Sequence, residues 1–269
     1  MTHTVPARWQ PLADFIAQQE TDAIRIGVAV QAPDGDRFSH RGDERFISAS
    51  TIKIPIMVEI YRQIDRGNLA LEDMFTLTAE DICPGSGVLL QLHPGLDLTL
   101  RDIVYLMMSI SDNTATNMLI DLAGMENVNE TIASLGMPNC ALGRKMRGVP
   151  AKDGSPENWA TPNDFRGCID AILNGTAASR ESCDNMIEML TLQQNTRRIG
   201  RYFPEDTLPW GSKTGTVGTV SHDAGFVRGK DGDMVIAVFT DGFPILHDAE
   251  PVMGEIARLA AMASGLLDG

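Results

Sequence analysis

Residues Trp210 to Thr240 read WGSKTGTVGTVSHDAGFVRGKDGDMVIAVFT. Three segments in this stretch, Trp210 to Val217, Asp223 to Arg228 and Met234 to Thr240, read as strands, and Asp231-Gly232-Asp233 supplies a tight hairpin between the last two. Near the other end of the chain, Ile24 to Val30 is β-branched and alternating. Pro33-Asp34-Gly35-Asp36 is a turn, and Arg37 to Arg41 returns as the second strand of a hairpin. Strands at both termini with helices between them predict an α+β fold, in which one antiparallel sheet is built from both chain ends and an all-helical lobe is inserted. On this reading residues 1–269 form a single domain, with a sheet lobe over roughly 1–48 and 205–269 and a helical lobe over roughly 49–204.

Working outward, Trp9, Leu12, Phe15 and Ile16 stand at helical spacing within Trp9 to Gln19, and Glu250 to Leu267 reads as a closing helix. After Ser50 a long apolar helix carries Ile52, Ile56, Met57, Ile60 and Ile64 and ends at Arg66-Gly67. From Leu98 to Leu192 helical patterns follow one another. Thr99-Leu100-Arg101-Asp102 and Thr161-Pro162-Asn163-Asp164 both fit a capping box, the second with proline at the first helical position. Gly143 to Asn158 lacks periodicity and is long enough to be a functional loop. The methionines at 107, 108, 118, 186 and 189 read as helix core filling.

The balance of 22 Lys and Arg against 36 Asp and Glu gives a net charge of −14, and no basic run interrupts it. A nucleic-acid backbone would be repelled, so the expected partner is a small-molecule substrate. No apolar run is long enough to span a bilayer, and the first residues lack the apolar core of a secretory signal. The expected location is cytoplasmic, with a periplasmic or secreted location as the alternative if a signal has been trimmed. Cys83, Cys140, Cys168 and Cys183 form no Cys-x-x-Cys pair and have no histidine at zinc spacing, so they read as free buried thiols, with no metal site.

Three short constellations carry chemistry. Ser50-Thr51-Ile52-Lys53 opens the long helix, which sets Ser50 and Lys53 three apart on one face. A serine hydroxyl is a weak nucleophile until a base takes its proton, and a helix start adds unpaired N–H groups that favour developing negative charge. Alone, such a pair is equally a helix cap and a solvated lysine. Ser111-Asp112-Asn113 follows the helix from Leu100 to Ile110, and alone it is a turn. Lys213-Thr214-Gly215 sits in the first C-terminal strand, and alone it is an edge lysine with a glycine bulge.

Together and in this order, the three triplets resemble those of the penicillin-recognising serine hydrolases, specifically the class A β-lactamase group. The likeness extends to Phe46-Ile47-Ser48-Ala49, Leu98 to Asp102, Thr114-Ala115-Thr116-Asn117 and Leu142-Gly143-Arg144, and so covers nearly the whole chain. It implies an α/β/α sandwich and an acyl-serine mechanism on an amide, lactam or ester, without metal or organic cofactor. By the same resemblance Ser50 is the nucleophile and Lys53 its base or part of the proton network. Ser111 relays a proton to the leaving group, and Asn113 holds a substrate amide. Lys213, Thr214 and Gly215 bind a substrate carboxylate or polar group, and the backbone N–H groups of Ser50 and Thr216 form the oxyanion hole.

The sequence also departs from that family. The Glu-x-x-Leu-Asn stretch, whose glutamate activates the deacylating water, has no counterpart: between Thr131 and Ala160 the only carboxylates are Asp153 and Glu157. Glu157 matches the residue that closes the loop by pairing with the arginine matched here by Arg144. Gly85-Ser86-Gly87 stands where a bulky aromatic is frequent, and the last helix lacks the arginine that often anchors a carboxylate, a role for which Arg228 lies one strand too far along. His222 either faces the site or is a satisfied structural histidine. The family's disulfide positions fall here on Met57 and Ala49, so neither bridge can form. The candidate bases for deacylation are therefore Lys53, Glu157, Asp153 and His222. Three functions follow: a hydrolase of another small amide, lactam or ester; a true β-lactamase with an unusual base; or a penicillin-binding or sensor-like module that stays acylated.

Overall fold

The computed structural model describes residues 5–152, 154–204 and 207–268. In chain order its main elements are α1 (Gln10–Gln19), β1 (Arg25–Gln31), β2 (Arg37–His40), β3 (Phe46–Ile47), α2 (Lys53–Asp65), β4 (Met74–Thr76), β5 (Asp97–Thr99), α3 (Leu100–Ser109), α4 (Asn113–Ala123) and α5 (Met125–Ser134). Then come β6 (Trp159–Ala160), α6 (Pro162–Leu173), α7 (Arg180–Thr191), β7 (Trp210–Val217), β8 (Val220–Gly229), β9 (Gly232–Asp241) and α8 (Ala249–Ala263). The sheet runs in the order β2-β1-β9-β8-β7 with every neighbour antiparallel, so N- and C-terminal strands do interleave as the termini predict. β3–β6 and β4–β5 are separate two-stranded pairs.

Alternation along β9 divides the molecule into layers. Met234, Ile236 and Val238 pack with Trp9, Leu12, Ile16 and the α8 residues Met253, Ile256 and Ala257. Val235, Ala237 and Phe239 point the other way and join a second core with Phe46, Phe165 and the helical lobe. Helices thus cover both faces of the sheet, the expected α/β/α sandwich. α2 lies at the centre of the helical lobe, and its residues from Lys53 to Tyr61 are all buried, which explains why the sequence shows no polar face there.

Some local expectations change in the structure. β8 begins at Val220 rather than Asp223, because Gly218 takes φ +57° and permits a two-residue turn from Val217 to Val220. Thr99 caps α3 with a full capping box, whereas at Thr161 only half of it forms. There the Asp164 carboxylate instead accepts from the Asn139 N–H (2.9 Å), tying α6 to the preceding loop. α8 stops at Ala263, short of Leu267, in a turn with Gly265 at φ +74°. All four cysteines are buried free thiols, and among the described residues no helix is long and apolar enough to cross a membrane.

Candidate active site

Ser50 lies on a short 3-10 turn, Ala49–Ile52, that runs directly into α2. Ala49 holds φ +46°, a left-handed conformation costly for a residue with a Cβ, and the turn is fixed by bonds from Thr51 N (3.1 Å) and Thr51 Oγ1 (2.7 Å) to Ser48 O. The turn packs against the edge strand β7 so closely that a Cβ on Gly215 would lie 2.9 Å from Ser50 N and 3.0 Å from Thr51 N. Glycine is therefore the residue that lets the third triplet approach the first. Ser50 lines a cleft of about 520 Å³, together with Ser111, Asn113, Thr214, Gly215 and Thr216.

Beneath the cleft wall sits Lys53, fully buried. Its Nζ donates to Ser111 O (2.8 Å), Ser111 Oγ (3.0 Å) and Asn113 Oδ1 (3.1 Å), so its acceptors all come from the second triplet and Ser50 Oγ is not among them. Burial, reinforced by the nearby Lys213 charge, holds this amine well below the usual lysine range. Ser111 has φ +60°, the second strained non-glycine residue beside the cleft. Asp112 locks that turn: Oδ1 caps α4 at Ala115 N (3.0 Å), and Oδ2 accepts from Val88 N (2.7 Å) and Leu89 N (2.9 Å). Asn113 donates through Nδ2 to Pro84 O (3.1 Å), and Ser86 Oγ donates to Ser111 O (2.8 Å).

Lys213 is also fully buried, and its Nζ donates to Thr214 O (2.8 Å). Burial lowers it to about 7, against the pull of the Asp223 carboxylate and with the help of Arg198. Asp223, opposite Thr214 across the β7–β8 ladder, is itself raised by burial; its Oδ2 accepts from Ile199 N (3.1 Å). Arg198 reaches the cleft from the segment preceding β7. Its NH1 donates to Gly215 O (2.9 Å) and His222 O (2.6 Å), its NH2 donates to Thr216 Oγ1, and its buried Nε has no hydrogen-bond partner among the described residues.

His222 resolves to the structural alternative. Its Nε2 donates to Ile47 O (2.8 Å), its Nδ1 accepts from Thr240 N (3.2 Å), and its ring stacks on Phe239 at 4.4 Å. Burial lowers it to about 4, and with both nitrogens engaged inside the core it is not a base for a water in the cleft. Glu157 is equally occupied. Oε1 accepts from Arg144 Nε (2.9 Å) and Asn158 N (2.8 Å), and Oε2 from Arg144 NH2 (3.0 Å) and Ala151 N (2.6 Å). The pair closes the 144–157 loop, and these donors hold the carboxyl below the usual glutamate range despite burial. Asp153 lies outside the described residues. Arg228 stands over the Phe226 ring, away from the cleft.

Two features escaped the sequence reading. The cations lining the cleft are arginines, Arg144, Arg147, Arg197 and Arg198, while both lysines of the triplets lie behind its wall. Arg198 and Asp223 belong to no motif: the segment before β7 carries Arg198 to Gly215 and Thr216, and the return of β8 alongside β7 sets Asp223 opposite Thr214. Among the described residues no group of three or more His, Cys, Asp or Glu side chains could hold a metal ion.

Comparison with known proteins agrees with this geometry. A family model described as "Beta-lactamase enzyme family" matches residues 8–263. The chain is 52% identical, with TM-score 0.94, to a solved structure described as a β-lactamase from Sphaerobacter thermophilus, covering 96% of this chain and 98% of that one. It is 26% identical to β-lactamase VEB-1 of Pseudomonas aeruginosa, over 87% of this chain and 84% of that protein. A structure described as a point mutant of PBP-A, an acyl-enzyme complex with penicillin-G, superposes with TM-score 0.85 at 25% identity and covers 97% of each chain.

Proposed function

Since the chain belongs to the β-lactamase enzyme family, as a serine hydrolase of the class A β-lactamase-like type, we propose that it hydrolyses a small amide, lactam or ester through an acyl-Ser50 intermediate whose hydrolysis is slow for penicillins. Ser50 Oγ attacks the substrate carbonyl, and its proton enters the Lys53–Ser111 network. Ser111 then delivers a proton to the leaving group as the carbonyl–nitrogen or carbonyl–oxygen bond breaks. The Lys53–Ser111 separation of 3.0 Å supports this relay. The N–H groups of Ser50 and Thr216 stabilise the oxyanion, and the close seating of Gly215 against Ser50 supports that pairing. Thr214 and Thr216 hold a substrate carboxylate, with the buried Lys213 attracting it from behind the cleft wall and Arg198 positioning Thr216 from below. Asn113 takes a substrate amide.

The observation that carries slow deacylation is Glu157, the one carboxylate among the described cleft residues, with both oxygens already accepting two bonds each. Positioned general-base help is typically worth about 10²–10⁴-fold in rate. Among the candidates that lie in the described residues, the remaining base is Lys53, whose lowered proton affinity favours the neutral amine. Mixing the protein with benzylpenicillin and following intact mass should give a rapid Ser50 adduct, a burst of product, then slow turnover. Steady hydrolysis with no accumulated adduct would overturn it. A second reading, β-lactam hydrolysis as the native activity, is favoured by the β-lactamase description of the 52% identical Sphaerobacter protein. A panel of penicillins against simple esters, amides and lactams separates the two.

A further inference from the structure

The loop that closes the cleft holds four basic side chains, Arg144, Lys145, Arg147 and Lys152, and of the two that lack a partner among the described residues, Arg147 and Lys152, only Arg147 lines the cleft. Arg144 is clamped on Glu157, and Lys145 Nζ pairs with Asp121. Arg147 is exposed and lines the cleft, with no hydrogen bond or ion pair from its side chain among the described residues. Both of its neighbours are pinned. Met146 is held by Asn117, whose Oδ1 accepts from Met146 N (2.8 Å) and whose Nδ2 donates to Met146 O (3.1 Å). Gly148 sits so close to the rim that a Cβ there would be 3.0 Å from Gly85 Cα.

Those anchors hold Arg147 next to Gly148, which packs on Gly85, and Gly85 in turn packs on Asn113. Gly85 lines the same cleft as Ser50 and has no side chain to fill the space beside Arg147. In a chain of net charge −14, a cation held at the cleft opposes the overall field and recruits an anion.

Building on the acyl-Ser50 reading, we infer that the preferred substrate is a dianion: one carboxylate lies at Thr214 and Thr216, and a second acidic group on the acyl portion is read by Arg147. The test uses three penicillins on one phenylacetyl frame: benzylpenicillin, its α-carboxy analogue carbenicillin and its α-amino analogue ampicillin. Acylation rates at Ser50 are measured by intact mass. An exposed ion pair is worth about a two- to five-fold rate difference. The carbenicillin-to-ampicillin rate ratio should therefore fall by at least about two-fold in Arg147→Ala, persist in Arg147→Lys and shrink at high salt. A ratio unchanged in Arg147→Ala overturns the inference while leaving the acyl-enzyme reading intact. If none of the three acylates Ser50, that reading fails instead. Calorimetric binding of phenylmalonate against phenylacetate to Ser50→Ala, with and without Arg147→Ala, then decides the charge preference, and equal affinities overturn it.

Discussion

Lys213 offers a sharp test of how burial controls this cleft. Its ammonium is lowered from 10.5 to about 7, chiefly by desolvation. The charged fraction is then about 90% at pH 6, about half at pH 7 and about 10% at pH 8. If the buried ammonium attracts the substrate carboxylate, kcat/KM for acylation should fall by up to about nine-fold between pH 6 and pH 8. Lys213→Arg replaces the amine with a guanidinium that stays protonated, so the alkaline limb should move above about pH 9 even if the maximum rate drops. The assay is the rate of Ser50 labelling by a fluorescent penicillin from pH 5 to 9. Stability runs the other way. Between about 7 and 10.5 the unfolded chain binds a proton that the folded chain does not, so folding is favoured as pH rises through that window, and unfolding cannot mimic the loss of activity. A wild-type profile flat to pH 9, or a Lys213→Arg limb still near 7, would refute the reasoning.

Ser50→Ala should abolish covalent labelling, Lys53→Ala should cost nearly as much, and the double variant should be no worse than either, because the two act as one unit; additive losses by intact mass would separate them. Glu157→Gln should lower stability at pH 7 by about 1–3 kcal/mol while Ser50 still acylates. Because the folded Glu157 carboxyl is lowered, its contribution is present above the ordinary value of 4.5 and is lost as pH falls through the lower folded value, so the urea-unfolding gap should narrow on acidification; loss of acylation with stability intact would contradict this. Gly87→Ala places a Cβ at φ +116° against Asp112 and should cost about 1–3 kcal/mol together with most labelling, since Asp112 locks the Ser111 turn; a change under about 0.5 kcal/mol by denaturation would show that the turn tolerates it. Titration under denaturing, non-reducing conditions should find four thiols, and two or none would contradict the free cysteines.

The division between sequence and structure follows from the range of the interactions involved. Strand alternation in Ile24 to Val30 and Met234 to Thr240, the apolar run after Ser50 and the Thr99 cap are properties of neighbouring residues, so they were legible along the chain and sufficed for the sheet, the inserted helices and the order of the three triplets. Even the pairing of Glu157 with Arg144 was readable, though only by likeness to a family. The rest depends on what the fold places across a gap. Nothing near His222 in sequence announces that Ile47 O and Thr240 N will occupy both its nitrogens. Arg198 has no motif, and it reaches Thr216 only because β7 and β8 bring Gly215, Thr216 and His222 into one register. The triplets place Lys53 and Lys213 in one site, but it is packing that buries both completely and lowers their proton affinities, leaving arginines to line the cleft. Desolvation and register are sums over atoms distant in sequence, which is why charge state and the true lining of the cleft were decided by the tertiary structure alone.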